Sequence, residues 1–334
     1  MQNRLNEIPV SVLDLAPIVA GDTVTDSFHK SLELAKAVES FGYNRYWFAE
    51  HHNMENIASS ATSVLIGYIA GGTSRLRVGS GGIMLPNHAP LIIAEQFGTL
   101  ASLYPRRIDL GLGRAPGTDQ LTSIALRRNM QGSVDSFPAD IIELKKYLAP
   151  KGSSGMVRAI PGEGTEVPIW LLGSSTYSAQ LAAALGLPFA FASHFAPTHL
   201  QEALRLYRKN FQPSEQCKEP YAMACVNVIA ADSDEEAAIL ATSFYKLALG
   251  LIRNVRKPLQ PPVSSMEGEW YEHEKAAVNQ MMLYSYIGSK QTVKTGLEQF
   301  IKDTQVDELM VASYVYDNQK KIRSYELISD FFLI

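Results

Sequence analysis

Eight short apolar or β-branched runs alternate with stretches of helical periodicity along almost the whole chain, and this alternation restricts the fold more than any other property of the sequence. The runs are "IPVSVLDLA" (8–16), "YNRYWFAE" (43–50), "LRVGSGGIML" (76–85), "RIDLGLG" (107–113), "PIWLLG" (168–173), "PFAFAS" (188–193), "AMACVNVIA" (222–230) and "ELMVASYVY" (308–316). Helical periodicity covers 26–41, 59–71, 90–103, 138–148, 176–185, 197–210, 234–249, 290–303 and the stretch from 319 onward. Parallel strands joined by helical crossovers give this pattern. An open doubly wound sheet would have about six strands and a GxGxxG turn after the first. Neither "LDLAPIVAGDT" nor "GLGRAPG" (111–117) supplies that turn. The expected fold is α/β, a (β/α)8 TIM-like barrel forming one domain over residues 1–334, with insertions on its C-terminal face.

Composition narrows the partners. A chain of 334 residues with 46% hydrophobic and 19% charged residues buries a core without staples, and a formal net charge of -4 gives no electrostatic reason to expect nucleic acid or an anionic membrane. A small-molecule substrate fits better. Cys217 and Cys225 have no CxxC neighbour, which argues against a disulfide framework and for a reducing, cytoplasmic setting. The opening "MQNRLNEIPVSVLDLAPIV" lacks a signal-peptide pattern, and no run reaches the roughly 20 apolar residues of a membrane span.

Long connections fall at 114–137 and 250–271, after strands four and seven, on the face where barrels build active sites. The Gly-rich stretch 150–168 precedes strand five and is expected on the opposite face or around the edge, as a surface loop with a short hairpin. Strand ends carry Asp14; Glu50, His51, His52 and Asn53; "SGG" (80–82) with Asn87 and His88; Arg114; Ser174 and Ser175; His194; and Ser313 with Tyr314. An arginine, a serine pair and a glycine pair suit a phosphate and a flat ring. Two readings of "GSSTYSAQ" (173–180) stand side by side, an anion cradle and an ordinary helix cap. The strand glycines likewise either bare the backbone to a ligand or accommodate a bend. Along a strand, successive side chains face opposite ways, so His51 and His52 do not both reach one metal ion, and no zinc spacing is present. No metal is expected.

These residues also carry a resemblance. "AEHHN", "VGSGGIMLPNHAPLIIAEQFGTLASLYPRRIDLGLGRAPGTD", "WLLGSSTYSAQLAAALGLPFAFASHF" and "SVLDLAPI" are similar to the bacterial luciferase-like flavin-dependent monooxygenases, in the alkanal monooxygenase-like branch. The resemblance implies a TIM-like barrel binding FMN, supplied reduced by a separate NAD(P)H-dependent flavin reductase. Molecular oxygen would add at C4a of the flavin, and the resulting peroxyflavin would oxidise a small organic substrate such as an aldehyde. By the same resemblance Arg114, Ser174, Ser175 and Ser178 bind the phosphate. Gly81 and Gly82 are joined by a cis peptide against the ring, His51 is the residue tied to reactivity, and Glu50 orients a neighbour or the strand end. It further implies a homodimer through "SVLIGYIAGG" (63–72) and "AEQFGTL" (94–100), and a lid at 250–271 that orders on ligand binding. Gly113 departs from the pattern, because the luciferase α subunit has a reactive cysteine there; light emission is not expected. The alternatives are an F420-dependent hydride-transferring oxidoreductase and a non-catalytic flavin-binding protein.

Overall fold

Inward-facing residues pair around the barrel in one continuous register in the computed structural model, which describes residues 5–115, 119–126, 136–153 and 155–331. Leu13 of β1 (Val10–Asp14) lies beside Trp47 of β2 (Arg45–Phe48), and Trp47 beside Gly79 of β3 (Arg77–Met84). Gly79 pairs with Asp109 of β4 (Ile108–Gly113), and Gly111 with Trp170 of β5 (Ile169–Gly173). Leu172 meets Ala190 of β6 (Phe189–Phe191), and Ala190 meets Met223 of β7 (Ala222–Ala231). Met223 pairs with Glu308 of β9 (Glu308–Ala312), and Met310 returns to Ser11 of β1, closing an all-parallel barrel.

The eight expected strands all form. A ninth, β8 (Ser285–Ser289), lies outside the closed ring, against Asn227–Ala231 of β7 on the side away from β9. It escaped the sequence reading because "SYIGS" is too short and too polar to stand out. The barrel has room for it because β7 is ten residues long and extends past its ring partners.

The outward residues of the strands, among them Val12, Tyr46, Phe48, Val78 and Leu110, are fully buried under the helices. These are α1 (Val24–Ser40), α2 (Thr62–Gly72), α3 (Pro90–Leu103), α4 (Gln120–Leu126), α5 (Phe137–Leu148), α6 (Thr176–Leu185), α7 (Leu200–Asn210), α8 (Asp234–Ile252), α9 (Glu272–Met281), α10 (Lys290–Thr304) and α11 (Asn318–Ser329). Local chemistry starts several of them: Thr23 and Asp26 form a reciprocal capping box on α1, while Ser233 and Asp317 cap α8 and α11. Gly186 ends α6 in the left-handed region at φ 61°, where a Cβ would also lie 2.4 Å from the Gln212 carbonyl. Helix α4 interrupts the first long connection and α9 follows the second; part of 114–137 lies outside the described residues. No strand pairing appears at the described residues of 150–168, so the expected hairpin is not there; the stretch instead presses Gly162 against Gly98 of α3, curling around the barrel's side. No helix among the described residues is long and apolar enough to cross a membrane, and both cysteines are free.

The N-terminal end of the barrel interior is charged. Arg45 donates to Asp109 at 2.7 Å and to Glu308 at 3.0 Å, and both carboxylates are fully buried. Arg77 and the Trp47 indole N–H also donate to Asp109, while Ser11, Asn44 and the Tyr221 hydroxyl donate to Glu308. Burial alone would lower the Arg45 pKa; the charges of Glu308 and Asp109 outweigh it and raise it. Gly79 is required here, since a Cβ would come within 2.8 Å of the Trp47 indole nitrogen. Arg45→Met leaves two buried carboxylates short of their cation and should destabilise the chain by ~3–5 kcal/mol. Urea unfolding measures this, and a loss below about 1 kcal/mol would contradict the assigned role.

Candidate active site at the C-terminal mouth of the barrel

The alternation that turns Trp47 and Ala49 inward carries His51 to the mouth and sends Glu50 outward. Glu50 is 1% exposed. Its Oε1 accepts from His52 Nε2 at 2.9 Å and His88 Nε2 at 2.8 Å, and its Oε2 accepts from the Met84 amide at 3.0 Å. Burial pushes its pKa up, but the His52 and His88 hydrogen bonds, with the amide, hold the carboxyl at about 2. Glu50 is therefore a permanent anion that ties the exit of β2 to the loop after β3. The turn between them is made at Asn53, whose φ of 54° places it in the left-handed region. His52 belongs to this brace and not to the mouth.

His51 is in a different position. Its Nδ1 is buried and has no partner among the described residues. Burial lowers its pKa to about 4; Glu50 opposes this, while His52 and Arg256 add to it. Across the mouth, after β6, His194 has the same character: Nδ1 buried and unpartnered, and a pKa of about 3 set by burial and then by His51. Asn227 on β7 donates to the His194 carbonyl at 2.6 Å, which leaves its own Oδ1 unpartnered. Ser313 Oγ after β9 is unpartnered too, and Tyr314 beside it stacks on Phe244 of α8 at 5.0 Å. Seven buried side-chain atoms lack partners among the described residues, and these four stand on or just past the C-terminal ends of barrel strands. Buried polar atoms normally find partners, so such a concentration marks a place for a ligand.

A second group lies between β4 and β5. The Arg114 guanidinium rests 4.1 Å over the Tyr177 ring at the start of α6. Ser175 occupies the N-cap position but accepts no N–H bond, and its Oγ lies 3.3 Å from Ser178 Oγ. The capping reading of this serine is thus not what the geometry shows. The first amides of α6 keep their positive end free beside Arg114 and Ser174, an arrangement suited to an anion.

The Gly81–Gly82 peptide is cis. A Cβ at Gly81 would meet Leu13 Cδ1 at 2.8 Å and Trp47 Cβ at 3.2 Å, and one at Gly82 would meet the Gly111 carbonyl at 2.8 Å. Barrel packing already demands glycine at both positions. It also leaves the half-exposed Gly81 backbone bare at the mouth. At Gly113 a Cβ would crowd only the flexible end of Met84, its sulfur at 2.8 Å, so packing does not demand glycine there.

Residues 253–271, part of the stretch where the sequence suggested a lid, are held by contacts to the barrel's C-terminal side. Leu259 bridges to Val19, with Ala20 and Leu259 amides donating at 2.9 and 2.8 Å; Val263 is tied to Thr242, and Arg253 pairs with Glu274. The sequence reading singled out Glu50, His51 and the Arg114 and serine group, and it placed His194 and Ser313 at strand ends. Asn227 was missed, although a lone amide inside "AMACVNVIA" was a visible signal; nothing marked Arg256 within its loop.

A cleft of about 580 Å³ opens at the opposite end, lined by residues such as Glu7, Glu39, Asn44, Arg75 and Arg77. Its charged groups are largely satisfied internally, Glu39 by the amides of Ser74, Arg75 and Leu76 and Arg77 by Asp109. The mouth, with its unpartnered atoms, is the stronger candidate.

A parallel (β/α)8 barrel with an anion cradle after β4 and β5 and a polar, partly unpartnered mouth defines a cofactor-dependent barrel enzyme class. The chain belongs to the luciferase-like monooxygenase family, whose profile matches residues 9–308. It is 53% identical to a protein named luciferase-like monooxygenase from Escherichia coli (strain K12), over 97% of this chain and 96% of that one. It is 32% identical to N-acetyl-S-alkylcysteine monooxygenase from Bacillus subtilis (strain 168), over 97% and 98%. The solved structure of apo-MsnO8 superposes with a TM-score of 0.86 at 34% identity, covering 97% of this chain and 98% of that one.

Both mouth histidines hold fewer protons in the folded chain than an ordinary histidine, which titrates near 6.5, so the unfolded state binds more protons below that pH. Stability should therefore fall as pH drops from about 6.5 towards 4.5, a window above the titration of Glu50. The double variant His51→Asn, His194→Asn should give a shallower fall in the urea midpoint across this window. An unchanged slope would show that neither imidazole is held neutral.

Proposed function

We propose that the chain is a monooxygenase that uses reduced FMN, delivered by a separate NAD(P)H-dependent flavin reductase, and molecular oxygen to oxidise a small organic molecule. The observation that carries the reading is Arg114, without an anionic partner among the described residues, beside the uncapped start of α6 with Ser174, Ser175 and Ser178 at hand. Those residues would hold the FMN phosphate, and the bare Gly81 backbone would face the ring. When bound, the cofactor supplies the two electrons that activate oxygen. With that chemistry one oxygen atom would enter the substrate and the other would leave as water, the two electrons coming from the reduced cofactor.

The protein's part is positioning and proton handling. His51 is neutral at pH 7 and can accept or donate a proton at the buried Nδ1. Glu50 fixes the backbone on which His51 stands through its bonds to His52, His88 and the Met84 amide. The segment 253–271 shields the mouth from water. The monooxygenase names of full-length relatives above 30% identity support the oxygen-transferring reading over an F420 oxidoreductase or a non-catalytic flavin carrier. An aldehyde remains one candidate substrate; the thioether class named for the Bacillus subtilis relative is another.

Anaerobic titration with reduced FMN, followed by oxygen exposure, tests this. Saturable binding and an altered course of flavin reoxidation are expected; absence of both, or preferential binding of F420, would sink the proposal. Arg114→Ala should weaken FMN binding ~10- to 100-fold, the worth of charge-assisted bonds to a phosphate.

We also propose a homodimer through α2 and α3. Val64, Tyr68, Ile92 and Leu103 are exposed apolar residues on these helices, at 68%, 39%, 46% and 64%. Val64→Glu with Leu103→Glu should convert a two-chain mass in light scattering to a one-chain mass. A wild-type chain that is already monomeric contradicts the dimer.

A further inference from the structure

Seven described arginines are not fully exposed: Arg45, Arg77, Arg107, Arg114, Arg208, Arg256 and Arg323. Arg45, Arg77 and Arg323 donate to carboxylates, while Arg107 and Arg208 donate to backbone carbonyls. Only Arg114 and Arg256, among these, donate to neither within the described residues, and both belong to the C-terminal face. Arg114 has its use in the phosphate cradle. Arg256 is left over, a half-buried cation with no ion-pair partner among the described residues, and an arginine so placed is suited to an incoming anion.

Its position is defined. Arg256 precedes Leu259, the residue that bridges to Val19 just past β1, so the guanidinium is carried on a docked segment and not on a free loop. It is close enough to His51 to act on its charge. Around the ring of strands, His51 follows β2, whereas Arg114 and α6 follow β4 and β5, so the two cations stand at different parts of the rim. Among the described residues no carboxylate pairs with Arg256, and Glu50 is committed to His52, His88 and the Met84 amide. The unpartnered Nδ1 atoms of His51 and His194, with Asn227 Oδ1 and Ser313 Oγ, supply neutral hydrogen-bonding sites at the same end of the barrel.

We propose that Arg256 is the specificity-determining residue for the substrate, which is a small organic acid: its carboxylate is held by the Arg256 guanidinium while the part to be oxidised lies beside His51. This deepens the monooxygenase reading and rests on it for the chemistry, not for the binding. A guanidinium pairs with a carboxylate through two parallel hydrogen bonds, which fixes the distance from the acid group to the reacting end. Neutral imidazoles in place of further cations leave a single anchoring point, so the acid group binds at one end of the mouth only.

The test is equilibrium dialysis of FMN-loaded protein against N-acetylated amino acids and medium-chain fatty acids, each beside its methyl ester. At least one acid should bind ~10- to 100-fold more tightly than its ester. Arg256→Gln should abolish that preference without changing FMN affinity, whereas Lys257→Gln, at the exposed neighbour, should leave it intact and so control for net charge. Equal or undetectable binding of acids and esters across the panel overturns the proposal, as does a preference that survives Arg256→Gln. A loss of FMN affinity in Arg256→Gln matching that of Arg114→Ala would assign the residue to the flavin and overturn it as well. Should the wild type take no FMN, the cofactor reading fails, while the same acid and ester comparison on flavin-free protein still decides the role of Arg256.

Discussion

Arg45 lies inside the barrel between two fully buried carboxylates, Asp109 of β4 and Glu308 of β9, and the rest of the molecule is arranged around that contact. Ser11 of β1, Arg77 of β3 and Tyr221 ahead of β7 join it, so strands from around the ring meet in one hydrogen-bonded floor. Charges in such a place are tolerated only when every one is answered. Above the floor, Trp47 and Trp170 meet edge to face at 5.2 Å and fill the middle of the barrel. The small residues Gly79 and Gly81 are what allow the Trp47 side chain to fit.

The two ends of the barrel therefore differ in kind. At the N-terminal end polar groups are satisfied by one another. At the C-terminal end His51, His194, Asn227 and Ser313 carry buried atoms, and Arg114 and Arg256 carry charges, that have no partner among the described residues. Parallel strands produce this polarity, because helices begin where strands end and their free amides point at the mouth. Glu50 shows how the rim is kept in place: its hydrogen bonds join two strand exits, while His51 next to it stays uncharged because burial outweighs the pull of the Glu50 charge.

The barrel was legible in the sequence because its strands are fully buried and read as short apolar runs with helices between them, and each of the eight formed. β8 was not, since a five-residue polar strand that pairs only with the overhang of β7 leaves no periodic trace. The adjacency of His51 and His52 looked like a pair, yet alternation separated them, and that much followed from strand geometry alone. The partner of His51 across the mouth, His194, lies far along the chain, and their closeness depends on barrel closure. Asn227 and Arg256 are single polar residues whose meaning comes from what surrounds them in space. The glycines of "GSGG" had two open explanations, a backbone bared to a ligand and a bend, and close packing against Leu13, Trp47 and the Gly111 carbonyl adds a reason that lay outside both.

The central claim is that the flavin binds at the mouth and not in the cleft at the other end. Hydrogen–deuterium exchange of the backbone amides, with and without saturating FMN, tests it most directly. The account predicts slowed exchange at 81–84, 113–115 and 174–179, where the bare glycine backbone, Arg114 and the start of α6 lie. Protection confined to 6–10, 39–44 and 75–77, around the opposite cleft, or no protection anywhere, would contradict it.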